Sequence, residues 1–218
     1  MDNSDEKLLN LYHQYWIEFS RGSEYLNNLF IYLNTQYVKK NSNNEAELTF
    51  GSNSDSNDHI MDIGEMALDC WRKYMIEPLK DKLVKLILDG IDRDRRGESV
   101  NQSVIHGVII SLVDVADKRQ KTLGLYETLF EKIFIEQTGE YYRKEASRLL
   151  EENNCSSYME KALARLNEEN LRSRRFLNPS SYNKVNQEVQ KRLVEDNLGF
   201  LHSECKELIK NEVKHGIF

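Results

Sequence analysis

Residues 60–96 read IMDIGEMALDCWRKYMIEPLKDKLVKLILDGIDRDRR, and this stretch decides the fold class. Ile63, Met66, Ala67, Cys70, Trp71, Tyr74, Leu79, Leu83, Leu86, Ile87 and Ile91 recur at spacings of three and four. Such spacing lays them on one stripe of an α-helix, which turns once every ~3.6 residues. A continuous helix here would be about 55 Å long at ~1.5 Å per residue. Pro78 interrupts the stripe. Proline has no amide hydrogen and crowds the preceding turn, so a kink or break is expected near Glu77. Gly97 follows the basic run Arg93-Asp94-Arg95-Arg96. That order suits a C-terminal cap, with cations at the negative end of the helix.

The same periodicity continues on both sides. Ser99 and Gln102 are placed as a capping box for a helix carrying Val104, Ile105, Val108, Ile109, Leu112 and Val115, apolar on nearly every face and so expected to be well buried. Residues 123–150 repeat the pattern from Leu125 to Leu149. Ser156 or Ser157 is expected to cap a helix running to Phe176, and Asn178-Pro179 to stop it, because a residue before proline avoids the α region. A last helix is expected to start at Ser180 or Ser181 and run through Val185, Val189, Leu193, Leu201 and Cys205 to Ile209. Upstream, Leu8, Leu11, Tyr12, Tyr15, Trp16 and Phe19 form one stripe, and Tyr25, Leu26, Leu29, Phe30, Leu33 and Tyr37 form another. Gly22 and Ser23 permit a break between them, which predicts two antiparallel helices. Residues 41–59, NSNNEAELTFGSNSDSNDH, lose all periodicity and read as a polar linker.

Composition agrees with an all-α fold. The chain has 218 residues but only 10 Gly and 2 Pro, too few for a turn-rich β-architecture. Thirty Lys and Arg against 36 Asp and Glu leave a net charge of −6, which argues against a nucleic-acid partner. No apolar run reaches the ~18 residues of a membrane span, and the acidic N-terminus does not read as a secretory signal. Cys70, Cys155 and Cys205 are scattered and odd in number, so no disulfide framework is expected. A cytoplasmic or nuclear location fits these features.

No catalytic or metal-binding constellation can be assembled, and no cofactor is expected. His13, His59, His106, His202 and His215 lie far apart, and none stands four residues from another. His202 and Cys205 share a helical face but have no third ligand in reach. Arg172, Arg174 and Arg175 stand at helical spacing from Glu168 and Glu169, which reads as solvated ion pairs. Tyr12, Tyr15, Trp16 and Tyr25 read as core aromatics, and Tyr32 alone is held apart as a binding residue.

Several segments, taken in order, resemble the cullin family. Tyr25-Leu26 through Ile31-Tyr32-Leu33-Asn34 to Tyr37-Val38 looks like the helix that closes the first cullin repeat. Trp71-Arg72, Pro78-Leu79, Arg93 to Ser99 and Ile105 to Val108 look like the start of the second. Leu125-Tyr126, Phe130-Glu131, Phe134, Tyr141-Tyr142 and Glu145-Ala146 continue it. Tyr158-Met159, Ala162, Ala164-Arg165-Leu166 and Glu168-Glu169 are its most specific stretch. The resemblance is nearest to SCF-type cullins. It implies a helical stack: a partial first repeat of two helices (1–40), the polar loop (41–59) and a five-helix second repeat (60–218).

The resemblance also implies a non-catalytic scaffold of a ubiquitin ligase. Such stalks bind a Skp-type adaptor carrying an F-box protein through the second and fifth helices of the first repeat. Tyr32 aligns with an adaptor-contacting tyrosine, and Tyr25, Asn28, Leu29 and Gln36 share its face. The second helix has no counterpart in this sequence, which implies weakened adaptor binding. The third repeat, the RING-box docking domain and the modified lysine also lack counterparts, so RING-box binding is not expected. The competing reading is an independent helical interaction module with other partners.

Overall fold

The computed structural model describes residues 3–38, 61–115, 123–152 and 154–214, and these are helical with short connections. The polar segment 41–59 lies outside the described residues. The chain divides into two compact units, Met1–Tyr126 and Glu127–Phe218.

The first unit contains α1 (Asn3–Leu29), α2 (Ile63–Trp71), α3 (Glu77–Arg95) and α4 (Gln102–Asp114). α1 corrects the expected helical pair, because the chain passes through Gly22 without a break. Glycine costs a helix interior only about 1 kcal/mol relative to alanine, too little to stop a helix whose preceding turns are anchored. The Ser20 and Ser23 hydroxyls donate back to the carbonyls of Ile17 (3.1 Å) and Ser20 (2.9 Å) and stay within the helix. The irregularity comes later, at Phe30, before a short turn Ile31–Leu33 and a π-helical turn Asn34–Val38.

The interruption expected near Glu77 is a π-helical turn, Arg72–Ile76, joining α2 to α3. Pro78 lies in the first turn of α3, where a missing amide hydrogen costs least. The far end of α3 closes as its sequence suggests. Gly97 has φ +81°, its N–H donates to the Asp94 carbonyl (3.1 Å), and the Glu98 N–H donates to the Arg93 carbonyl (3.0 Å). Those two bonds make a Schellman cap, whose left-handed position favours glycine. Arg93 and Arg96 pair with Glu98, and Arg96 also with Asp92, so the basic run belongs to the helix end.

Trp71 is the centre of this core. The rings of Tyr12, Trp16 and Phe19 lie 5.5, 5.3 and 4.8 Å from it. The Trp71 Nε1–H donates to the Tyr12 hydroxyl (3.0 Å), and the Ser111 hydroxyl donates to the Val108 carbonyl (2.6 Å). Ser111 has one proton and has used it, so the 3.0 Å contact between Tyr12 and Ser111 is donated by Tyr12. The result is a directed chain of donors from α2 through α1 to α4, in which Trp71, Tyr12 and Ser111 each have a partner. Gly90 lets α3 approach α4, since an added Cβ would lie 2.7 Å from Ile105 Cδ1.

The second unit opens with a π-helical turn, Glu127–Glu131, and contains α5 (Lys132–Glu152), α6 (Cys155–Phe176), α7 (Tyr182–Leu193) and α8 (Leu198–Lys214). The expected last helix is split. The Tyr158 hydroxyl donates to the Leu193 carbonyl (2.5 Å), and the Asn197 amide donates to the Arg192 carbonyl (2.9 Å). These side chains take carbonyls that a continuing helix would need, and a 3₁₀ turn, Glu195–Asn197, separates α7 from α8.

Glu169 and Arg172 correct the reading of solvated ion pairs. Both are buried, 2.6 Å apart, and the Tyr142 hydroxyl donates to the same carboxylate oxygen (2.8 Å). Glu131 is also buried and accepts from the Ser181 hydroxyl (2.5 Å) and the Lys184 ammonium (2.7 Å). The caps expected at Ser99 and at Ser156 or Ser157 are corrected as well. Asn101 and Asn154 accept from the Val104 and Ser157 N–H groups respectively, whereas the start expected at Ser180 or Ser181 stands, Ser181 being the residue that precedes α7. Asparagine caps as well as serine, and a boundary placed one or two residues off exchanges one for the other.

Candidate functional site

The residues singled out at the end of the N-terminal helix share one surface. Tyr25, Leu29 and Tyr32 are 69, 61 and 77 % exposed, and Asn28 and Gln36 are exposed beside them. Tyr25 was expected in a core. Instead it is exposed, Leu26, Phe30, Ile31, Leu33 and Tyr37 are exposed too, and Asn34 is the buried residue of the stretch.

Two asparagines hold the face in place. At ~100° per residue, Asn27 and Asn34 stand on one side of the helix and Tyr25, Leu29, Tyr32 and Gln36 on the opposite side. Asn34 Nδ2 donates to Asn27 Oδ1 (2.8 Å). Asn34 Oδ1 accepts the Ile63 N–H (3.3 Å), and Asn27 Oδ1 accepts the Gly64 N–H (3.1 Å). Asp62 and Glu65 complete a capping box, with Asp62 Oδ1 accepting from Glu65 N–H (2.8 Å) and Glu65 Oε2 from Asp62 N–H (3.1 Å). The four amide hydrogens that open α2 are thereby all satisfied, two by its own cap, one by Asn27 of α1 and one by Asn34 of the π-helical turn that follows. Gly64 permits the approach, because an added Cβ would stand 3.1 Å from Asn27 Oδ1. The sequence signal for this arrangement, Asp62 three residues before Glu65 ahead of an apolar run, was available; the Asn27 and Asn34 partnership was not, since it spans about thirty residues.

Elsewhere in the first unit, His13 lies directly over Gly107, in the space where a Cβ would sit. Burial holds the His13 imidazole below its ordinary pKa, and the charge of His106 lowers it further. The fold thus brings together two histidines that are remote in sequence. Among the described residues no three His, Cys, Asp or Glu side chains converge as a metal site would require. His202 is exposed on α8, while the Cys205 side chain, His59 and His215 lie outside the described residues. Among the described residues no helix is long and apolar enough to cross a membrane.

These features define a class of protein: an all-helical chain that presents an uncharged, largely apolar face. The chain matches the Cullin alpha solenoid domain over residues 1–216. It is 29% identical to Cullin-1 of Dictyostelium discoideum over 212 residues, which is 95% of this chain and 26% of that protein. It is 31% identical to Cullin-2 of Caenorhabditis elegans, covering 97% of this chain and 29% of that protein. Cell division control protein 53 of Saccharomyces cerevisiae is 31% identical over 72% of the chain. The chain belongs to the cullin family. It spans about a quarter of the length of the first two of these relatives.

Proposed function

We propose that the chain acts as a non-catalytic, cullin-type scaffold in ubiquitin-dependent protein catabolism, and that the face of Tyr25, Asn28, Leu29, Tyr32 and Gln36 docks a Skp-type adaptor carrying an F-box protein. The observation that carries the reading is this face itself, exposed and uncharged on a chain of the cullin family. Tyrosine and leucine surrounded by amides form the kind of patch in which a few buried anchors supply most of the binding energy. Adaptor binding weaker than that of a full-length cullin is part of this proposal. A cytoplasmic or nuclear location accompanies this reading.

The test is a binding titration of the 218-residue chain against a Skp-type adaptor bound to an F-box protein, with a RING-box protein as a parallel arm. The adaptor is expected to bind, and Tyr32→Ala to weaken it by about 1–2 kcal/mol, roughly 5- to 30-fold. Failure to bind either protein would overturn the scaffold role. Adaptor binding that ignores substitutions on this face would overturn the assignment of the site.

A further inference from the structure

We infer that the same face pairs with a second copy of this chain, so that an unoccupied scaffold is a two-fold homodimer and a partner must displace one copy to reach the face. The inference shares its residues with the proposed adaptor site but does not need that reading to be right.

Charge comes first. Residues 25–38, YLNNLFIYLNTQYV, contain no Asp, Glu, Lys, Arg or His in a chain that is 30% charged with a net charge of −6. A two-fold interface sets each residue near its own copy, so a patch rich in one sign repels itself. This uninterrupted stretch meets its copy without like-charge opposition. Depletion of charge with enrichment in tyrosine and phenylalanine is also the composition of interface centres.

The polar groups on the face point the same way. Asn28 and Gln36 are exposed beside the tyrosines. An amide carries both donors and an acceptor, so across a two-fold axis each can satisfy its own copy. A patch of carboxylates or ammonium groups has no such self-complement.

Area and rigidity are sufficient. Tyr25, Tyr32 and Tyr37 are each more than 60 % exposed, and an aromatic side chain offers ~150–250 Å². With Leu26, Leu29 and Leu33 the face approaches the ~800 Å² per partner of a standard interface. Asn27 and Asn34 tie its reverse side to the start of α2, so little ordering remains to be done on pairing.

The experiment is sedimentation velocity on the whole chain over a concentration series. The mass is expected to rise from 25.7 kDa toward twice that value. Tyr32→Glu sets two carboxylates against each other and is expected to weaken self-association by roughly 30-fold or more, with an unchanged circular-dichroism melt at dilutions where both proteins are monomeric, because the side chain is then exposed. Mixing Tyr32→Glu with Tyr32→Lys should restore a dimer, which a folding defect would not do. A monomer at every concentration, a dimer indifferent to both substitutions, or open-ended assembly would overturn the inference. A monomer that binds adaptor through this face leaves the scaffold reading standing; a dimer that binds no adaptor leaves this one.

Discussion

The two halves of the N-terminal helical segment, residues 3–38, are written in the same vocabulary and have opposite fates. Leu9, Tyr12 and Trp16 are buried, the two rings against Trp71, whereas Tyr25, Leu29 and Tyr32 stand in solvent. Both sets recur at helical spacing and both are aromatic and aliphatic. What separates them is the company of their polar groups. Tyr12 is threaded into a donor chain between Trp71 and Ser111, while in the second half the polar groups on the inner side are Asn27 and Asn34. An apolar stripe therefore shows that a helix has a face to cover, and the hydrogen bonds decide which side of that helix is covered from within the chain.

Trp71→Ala should produce the largest effect on this comparison. It removes three ring contacts and leaves the Tyr12 hydroxyl without its donor. Large-to-small changes of this kind cost about 3–5 kcal/mol. Urea unfolding should show that loss in the first unit. A loss below about 1 kcal/mol would mean that the buried half of α1 is not what holds the first unit together.

Gly107→Ala tests the same seam by steric conflict. The added methyl group would occupy the position of the His13 imidazole, so His13 must move. Overpacking of this type costs about 1–3 kcal/mol. Truncating the imidazole should relieve it, so the double variant with His13→Ala should be more stable than the sum of the single effects predicts. Strict additivity would remove the contact from the account.

Asn34→Ala acts on the clamp behind the outer half. It strips the Ile63 N–H of its acceptor and Asn27 of a donor. A buried polar group left unpaired costs about 1–3 kcal/mol. Amide exchange at Ile63 and Gly64 should accelerate ahead of global unfolding. Unchanged exchange would mean that the asparagine clamp does not fix the outer face.

Periodicity made the all-helical fold legible, and the Schellman cap at Gly97 could be read from its flanking residues. The π-helical turn before Pro78 was legible as a fault, though not as its type. Gly22 misled because its helix penalty is smaller than the packing energy that Tyr12, Trp16 and Phe19 supply just upstream. The caps placed at Ser99 and Ser156 misled because Asn101 and Asn154 lie within two residues of them and serve equally well. The buried pair of Glu169 and Arg172 was invisible because helical spacing shows that two charges meet and is silent on the depth at which they do so. Tyr32 and its neighbours could be nominated as a face, but their exposure depends on Asn27 and Asn34 reaching across to α2. That contact closes over a long separation in sequence, which local pattern does not encode.

A pH dependence follows from His13, on the buried half. Its folded pKa lies below the ordinary 6.5, first through burial and then through the charge of His106. The unfolded chain therefore binds its proton first as the pH falls. This contribution to stability is whole above pH 6.5 and declines as the pH drops below it. His106→Gln should raise the His13 pKa part of the way back in an NMR titration, since burial remains. A His13 titrating at or above its ordinary value would contradict the packing over Gly107.

Tyr32→Ala and Leu29→Ala should change stability least of all. Both side chains face solvent, and substitutions of that kind usually stay within about ±0.5 kcal/mol. Removing exposed apolar surface should also make the chain more soluble, because contiguous patches of this size promote association. The small effect is what makes the pair decisive beside Trp71→Ala. If Tyr32→Ala lost several kcal/mol in urea unfolding at high dilution, the tyrosine would be packed inside its own chain, and the outer half of this segment would be a second core instead of a docking face. A neutral result in unfolding, joined to a measurable loss in partner binding or self-association, would put the whole role of Tyr32 in recognition. The two halves of one segment would then divide the work, with Trp71's neighbours folding the first unit and Tyr32's neighbours meeting what lies outside it.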